Sequence, residues 1–171
     1  EILRNGDRID GFRLPNATAQ ADHYLSALPF EKLQSLLPHL PIEWSAFSHS
    51  PITGIHLWFD RPVTDLPHAT LLDRNLQWFF NKGEGRYLML VVSASRGMLE
   101  MSRNDIIELA LKELSDFLPT TRQAKLIKAH VVKEVRATFA ASPGLENKRP
   151  AAHTQYPNFF LAGDWTRSGW P

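Results

Sequence analysis

Apolar and polar positions alternate in short runs over most of the chain, with one long helical stretch and several turn-rich connections between them. Residues 1–14 read as two strands about Asn5-Gly6, since Asn and Gly accept the positive φ of a two-residue hairpin turn; Glu1 to Leu3 is expected to pair with Arg8 to Leu14. His23-Tyr24-Leu25-Ser26-Ala27-Leu28-Pro29 is a short apolar segment closed by a proline that cannot continue a ladder, which predicts a buried strand running into a loop. Phe30, Leu33, Leu36 and Leu37 follow at helical spacing, and Pro38 and Pro41 end that helix.

From about Trp44 the pattern turns to β. Ile52–Phe59, Ala69–Leu72, Leu76–Phe80 and Tyr87–Ser93 are short apolar or aromatic runs parted by turn residues, which predicts a meandering antiparallel sheet. Ser102 opens a helix with Asp105 as its capping partner. Ile106, Leu109, Ala110, Leu114 and Phe117 form the apolar stripe, Glu108, Lys112 and Asp116 the polar face, and Pro119 the stop. Leu126–Val135 returns to strand. A loop from Ser142 to Pro157 holds three prolines and leads into Asn158-Phe159-Phe160-Leu161-Ala162, a buried strand that delivers Gly163-Asp164.

Composition narrows the class. With 171 residues, 43% hydrophobic and 22% charged, the chain has the make-up of one globular domain or parts of two. Nineteen Lys and Arg against 18 Asp and Glu leave a net charge of +1, too little for a phosphate-backbone footprint, so nucleic acid is not an expected partner. The absence of cysteine removes disulfides and thiolate metal sites and makes a cytoplasmic protein the expectation. The longest strongly apolar run, Leu88–Val92, falls far short of the roughly 20 residues of a spanning helix. Glu1 lies directly in strand-like sequence and Pro171 within an aromatic, Gly-rich stretch, so a piece of a longer protein is expected.

Most chemical constellations have bland readings. The seven histidines, at 23, 39, 49, 56, 68, 130 and 153, lack the i, i+2 or i, i+4 spacing that aligns two imidazoles on one metal, and no metal is expected. Ser93-Ala94-Ser95-Arg96-Gly97 lacks the first glycine of a nucleophile elbow. Gly83-Glu84-Gly85 joins two strands and reads as a hairpin turn rather than a dinucleotide fingerprint. Trp44, Trp58, Trp78, Phe79 and Phe80 read singly as sheet core and together as the lining of an apolar pocket. The strongest signal is a buried strand ending in Gly163-Asp164. The glycine lets backbone approach a ligand closely, and the carboxylate accepts hydrogen bonds from sugar or polyol hydroxyls; an Asp capping a following helix is the structural alternative.

Asn158 to Pro171 resembles the C-terminal flavin motif of the phytoene desaturase and flavin amine oxidase superfamily, and is most similar to its squalene-associated branch, the hydroxysqualene dehydroxylases. The likeness extends over nearly the whole chain. Ala21 to Pro29 is similar to the family strand that returns to the flavin domain, Ser50 to Val63 to the start of the substrate-domain sheet, and Lys133 to Ala140 with Arg149-Pro150 to the approach to the flavin strand. The resemblance implies a mixed α/β fold. Part of a Rossmann-like FAD-binding domain would lie at residues 1–42 and 151–171, with an inserted antiparallel-sheet-plus-helix substrate domain at 43–150. FAD is the implied cofactor, contacted by Gly163 and Asp164, with Trp165, Thr166 and Trp170 as further candidates near the ring. No catalytic acid or base carries over, and the N-terminal Gly-rich fingerprint that holds the FAD pyrophosphate is absent. The implied reaction is reductive dehydroxylation of hydroxysqualene to squalene. Polyene desaturation, amine oxidation and a catalytically silent lipid-binding fragment are the alternatives. An isoprenoid small molecule is the expected substrate, and the expected location is cytoplasmic with room for peripheral contact at the inner membrane face.

Overall fold

The computed structural model describes residues 1–169. In chain order the elements are β1 (Ile2–Asn5), β2 (Arg8–Arg13), β3 (Thr18–Ala19), β4 (Tyr24–Ser26), α1 (Phe30–Leu36), β5 (His49–Phe59), β6 (His68–Thr70), β7 (Trp78–Gly83), β8 (Tyr87–Ser93), α2 (Arg103–Phe117), β9 (Leu126–Phe139) and β10 (Phe159–Leu161), a mixed α/β fold. They form two compact units, one of Glu1–Ser48 with the segment from Phe139 onward, the other of His49–Thr138.

In the first unit β1 and β2 make the hairpin that Asn5-Gly6 implies, with Asn5 opposite Arg8 and Gly6 at φ +59°. β3 adds antiparallel to β2. β4 and β10 come from opposite ends of the chain and pair in parallel, Tyr24 opposite Phe159 and Ser26 opposite Leu161. The buried Asn158 side chain ties this pair to the hairpin by mimicking a strand: its Oδ1 accepts from the Ile9 amide at 3.0 Å and its Nδ2 donates to the Ile9 carbonyl at 2.8 Å. Phe30, Leu33 and Leu37 bury one side of α1 among Ile9, Tyr24, Phe47, Phe159 and Trp165. Two apolar residues depart from the expected burial. Leu25 is 68% exposed because a strand sends alternate side chains to opposite faces, and Leu36 stands on the outer side of α1.

The second unit is a five-stranded sheet in the order β6-β7-β8-β5-β9 backed by α2. β6, β7 and β8 form the expected meander, but β5 lies on the far side of β8, so the order is not sequential throughout. The turn between β7 and β8 has Glu84 and Gly85 at φ +48° and +75°. A Cβ at Gly85 would stand 2.2 Å from the Thr64 carbonyl oxygen, so this is a packed hairpin turn and not a nucleotide loop. α2 begins in a reciprocal capping box between Ser102 and Asp105. Its Ile106, Ala110 and Leu114 pack on Ile55, Leu57, Phe79, Leu88 and Leu90. Phe117 ends the expected stripe but is 40% exposed, with the Arg74 guanidinium 5.4 Å from its ring centre. Of the five aromatics read as sheet core only Phe79 is fully buried there, while Trp44 lies outside the sheet, partly buried against the core of the first unit. Along β7 the alternation that buries Phe79 turns Trp78 and Phe80 to the opposite face, as it does Trp58 on β5. No helix among the described residues is long and apolar enough to cross a membrane.

Candidate functional site

The turn after β10 is built from locked parts beneath and open parts above. The Ala162 amide still donates to Ser26 O at 2.9 Å, after which Gly163 adopts φ +139°, a conformation that L side chains rarely take. The Thr166 amide and Oγ1 both donate to Gly163 O, at 3.2 and 2.7 Å. Trp165 is 2% exposed, donates from Nε1 to Leu28 O at 3.0 Å and packs edge-on against Phe47. Under the turn Arg149 donates to the carbonyl oxygens of Asp164 and Thr166 and to Glu146 Oε2, with the Phe139 ring 5.5 Å from its guanidinium carbon.

This leaves Gly163 and Asp164 exposed. Neither backbone amide donates to a partner among the described residues. Two free amides and an acceptor-only carboxylate on one exposed turn suit a ligand that carries both phosphate oxygens and hydroxyls, which is the polyol and phosphate portion of a flavin dinucleotide. Of the residues singled out in the sequence, Gly163 and Asp164 face outward, whereas Trp165 and Thr166 are buried and support the turn from below; Trp170 lies outside the described residues. The glycine answers to its own chain as well, because a Cβ there would lie 3.1 Å from Trp165 Nε1 and 3.2 Å from its Cδ1.

The second unit carries a different surface. On the sheet face turned away from α2, the Trp58 and Tyr87 rings stack at 4.5 Å with 8° between planes, and His56 lies 6.0 Å from each. Tyr87 Oη and His56 Nδ1 are hydrogen bonded at 2.7 Å, Lys128 Nζ sits 4.9 Å above Trp58, and the His130 ring is 6.2 Å from that of His56. Desolvation first, and the neighbouring His130 second, hold the His56 pKa below the usual histidine range, so its neutral form dominates near neutral pH. A half-open aromatic face with one neutral hydrogen-bonding pair, flanked by the Lys128 ammonium, can stack on an extended unsaturated hydrocarbon. By contrast Ser95 is buried with its Oγ bonded to Thr53 Oγ1, so it is no exposed nucleophile.

Sequence reasoning placed Arg149 and Asn158 in the flavin-side segments without assigning either a role, and passed over the His56–Tyr87 pair. A loop arginine reads by default as solvated, and nothing local marks it as buried. Glu113 was missed as well, although its place seven residues after Ile106 sets it on the apolar stripe; in the fold it accepts from the Asn75 amide, Asn75 Nδ2 and the Leu76 amide.

Comparison with known proteins identifies the family and the fold. The family model described as flavin containing amine oxidoreductase matches residues 2–171. The 15-cis-phytoene desaturase of Synechococcus elongatus is 29% identical over 96% of this chain and 40% of its own length. The chloroplastic/chromoplastic 15-cis-phytoene desaturase of an Oncidium hybrid cultivar is 30% identical over 97% of this chain and 31% of its own. The chain therefore spans two fifths or less of the length of these relatives. Among solved structures, an oxidoreductase from Methanosarcina mazei shares the fold with a TM-score of 0.67 at 16% identity, covering 97% of this chain and 43% of that one. An FAD dependent oxidoreductase from Pseudomonas aeruginosa does so with a TM-score of 0.60 at 16% identity, covering 98% and 47%.

Proposed function

The chain belongs to the flavin containing amine oxidoreductase family, and from that membership we propose that it is the C-terminal portion of an FAD-dependent oxidoreductase acting on an isoprenoid, with reductive dehydroxylation of hydroxysqualene to squalene as its reaction. The observation that carries the cofactor reading is the exposed Gly163–Asp164 turn, whose two amides have no acceptor among the described residues. In this reading Asp164 accepts hydrogen bonds from the flavin polyol hydroxyls and the Gly163 and Asp164 amides meet phosphate oxygens, while Trp165 and Thr166 hold the turn in shape. FAD, when bound, supplies the electron-carrying chemistry, and the chain supplies binding, orientation and an apolar surface. The aromatic face of Trp58 and Tyr87 supports an unsaturated hydrocarbon substrate. Such a substrate resides in lipid, so peripheral contact with a membrane belongs to the same reading.

A second reading, desaturation of a polyene, is favoured by the names of the 15-cis-phytoene desaturases among the relatives. Incubating the intact flavoprotein separately with hydroxysqualene under reducing conditions and with phytoene under oxidising conditions distinguishes the two: squalene formation is expected, and turnover of phytoene alone would replace the first reading by the second. The cofactor contact is tested by Asp164→Ala. Loss of charge-assisted hydrogen bonds worth about 1.5 to 3 kcal/mol each predicts at least a tenfold weaker FAD affinity without unfolding. Unchanged affinity would remove Asp164 from the site.

A further inference from the structure

We infer that Arg149 is the positioning residue of the flavin-binding turn, holding Gly163 and Asp164 in the receptive conformation before the cofactor arrives; this rests on the reading of that turn as an FAD contact. Its side chain is only 3% exposed, on a loop where arginines ordinarily reach water. The cation is compensated by Glu146 Oε2 at 2.6 Å and by the face of Phe139, and the carboxylate of Glu146 is itself 55% exposed. Arg149 Nη2 donates to two backbone carbonyls two residues apart, those of Asp164 and Thr166.

That pattern does more than neutralise a buried charge. A single terminal nitrogen, Nη2, bonds both carbonyls and so sets the orientation of one peptide plane against the other, while Nη1 of the same rigid group is held by Glu146. Because the Asp164 carbonyl is drawn inward to Arg149, the Asp164 side chain is left on the solvent side, where it is found. The Arg167 amide, bonded to Pro150 O at 2.8 Å, ties the same two stretches together one residue further along each. Without the clamp, the turn between the Ala162 bond and Arg167 keeps its Thr166 and Trp165 anchors but loses its fixed carbonyls. FAD then has to order the turn as it binds, and affinity falls by that ordering cost.

The test uses the intact protein and reads two quantities for each variant: the FAD dissociation constant from flavin fluorescence, and the thermal midpoint of the FAD-free protein. Arg149→Lys keeps the charge, but its nitrogen falls one bond short of the Nη2 position and there is no second nitrogen for Glu146, so about tenfold weaker FAD binding is expected, equivalent to about 1.4 kcal/mol. Glu146→Gln leaves both carbonyl bonds in place and is expected to hold affinity within twofold. Arg149→Lys and Asp164→Ala combined are expected to weaken binding by less than the product of their separate effects, because both act through one turn. If Asp164→Ala weakens FAD binding while Arg149→Lys binds within twofold of the parent, the positioning role is overturned and the flavin contact stands. It is overturned equally if Arg149→Lys lowers the thermal midpoint yet leaves the affinity of the folded protein unchanged, or if the two variants combine additively. Unchanged affinity in Asp164→Ala instead overturns the flavin contact on which the inference rests.

Discussion

Gly163→Ala separates the two reasons a glycine can stand before Asp164. If the glycine serves only the close approach of a ligand, alanine costs affinity and leaves the FAD-free protein as stable as before. The structure assigns it a second duty. At φ +139° an alanine is strained by about 1 to 3 kcal/mol. Its Cβ would also press on Trp165 at 3.1 and 3.2 Å, tighter than ordinary contact. That indole has nowhere easy to go, since it is 2% exposed, hydrogen bonded to Leu28 O and flanked by Phe47 and Trp44. Overpacking of this kind costs roughly 1 to 3 kcal/mol, which brings the sum to about 2 to 6 kcal/mol. For a protein of this size and larger that lowers the thermal midpoint by about 4 °C or more. The assay is thermal or urea unfolding of the FAD-free protein followed by tryptophan fluorescence, with Trp165→Phe added in a second variant. The smaller ring relieves the contact but not the backbone strain, so Gly163→Ala is expected to cost less when measured against Trp165→Phe alone than against the parent, whatever the lost Leu28 hydrogen bond costs both Phe variants. An FAD-free Gly163→Ala protein within about 0.5 kcal/mol of the parent, the ordinary range for a harmless surface change, would refute the reasoning.

Two further outcomes follow from the second unit. Glu113→Ala removes three hydrogen bonds and leaves the fully buried Leu76 amide without its acceptor, so a loss of about 3 kcal/mol is expected in chemical denaturation, while Glu113→Gln keeps an acceptor and costs less; equal stability for both variants and the parent would deny the carboxylate its structural role. Folding holds His56 below its ordinary pKa, so the unfolded chain takes up a proton that the folded chain refuses as pH falls below about 6.5. The stabilisation is complete above that pH and declines below it. His56→Phe is therefore expected to flatten the acid side of the stability profile measured by urea unfolding, and an identical slope in parent and variant would contradict the assignment.

What the sequence determined by itself was local. Asn5-Gly6 marks the β1–β2 hairpin, Gly83-Glu84-Gly85 the β7–β8 turn, and Ser102 with Asp105 the start of α2, because each is decided by backbone conformations and hydrogen bonds within a few residues of one another. The Gly163-Asp164 signal was legible for the same reason, as a turn chemistry closing an apolar run. Only the tertiary structure decided which apolar faces find partners. The parallel pairing of β4 with β10, the place of β5 between β8 and β9, and the turning of Trp58, Trp78 and Phe80 to the face opposite Phe79 all depend on contacts between distant segments, on which local propensity is silent. The same holds for Arg149: an arginine before a proline looks the same in sequence whether it ends in water or beneath a turn. Burial of its charge is decided by carbonyls 15 and 17 residues away that happen to converge on it.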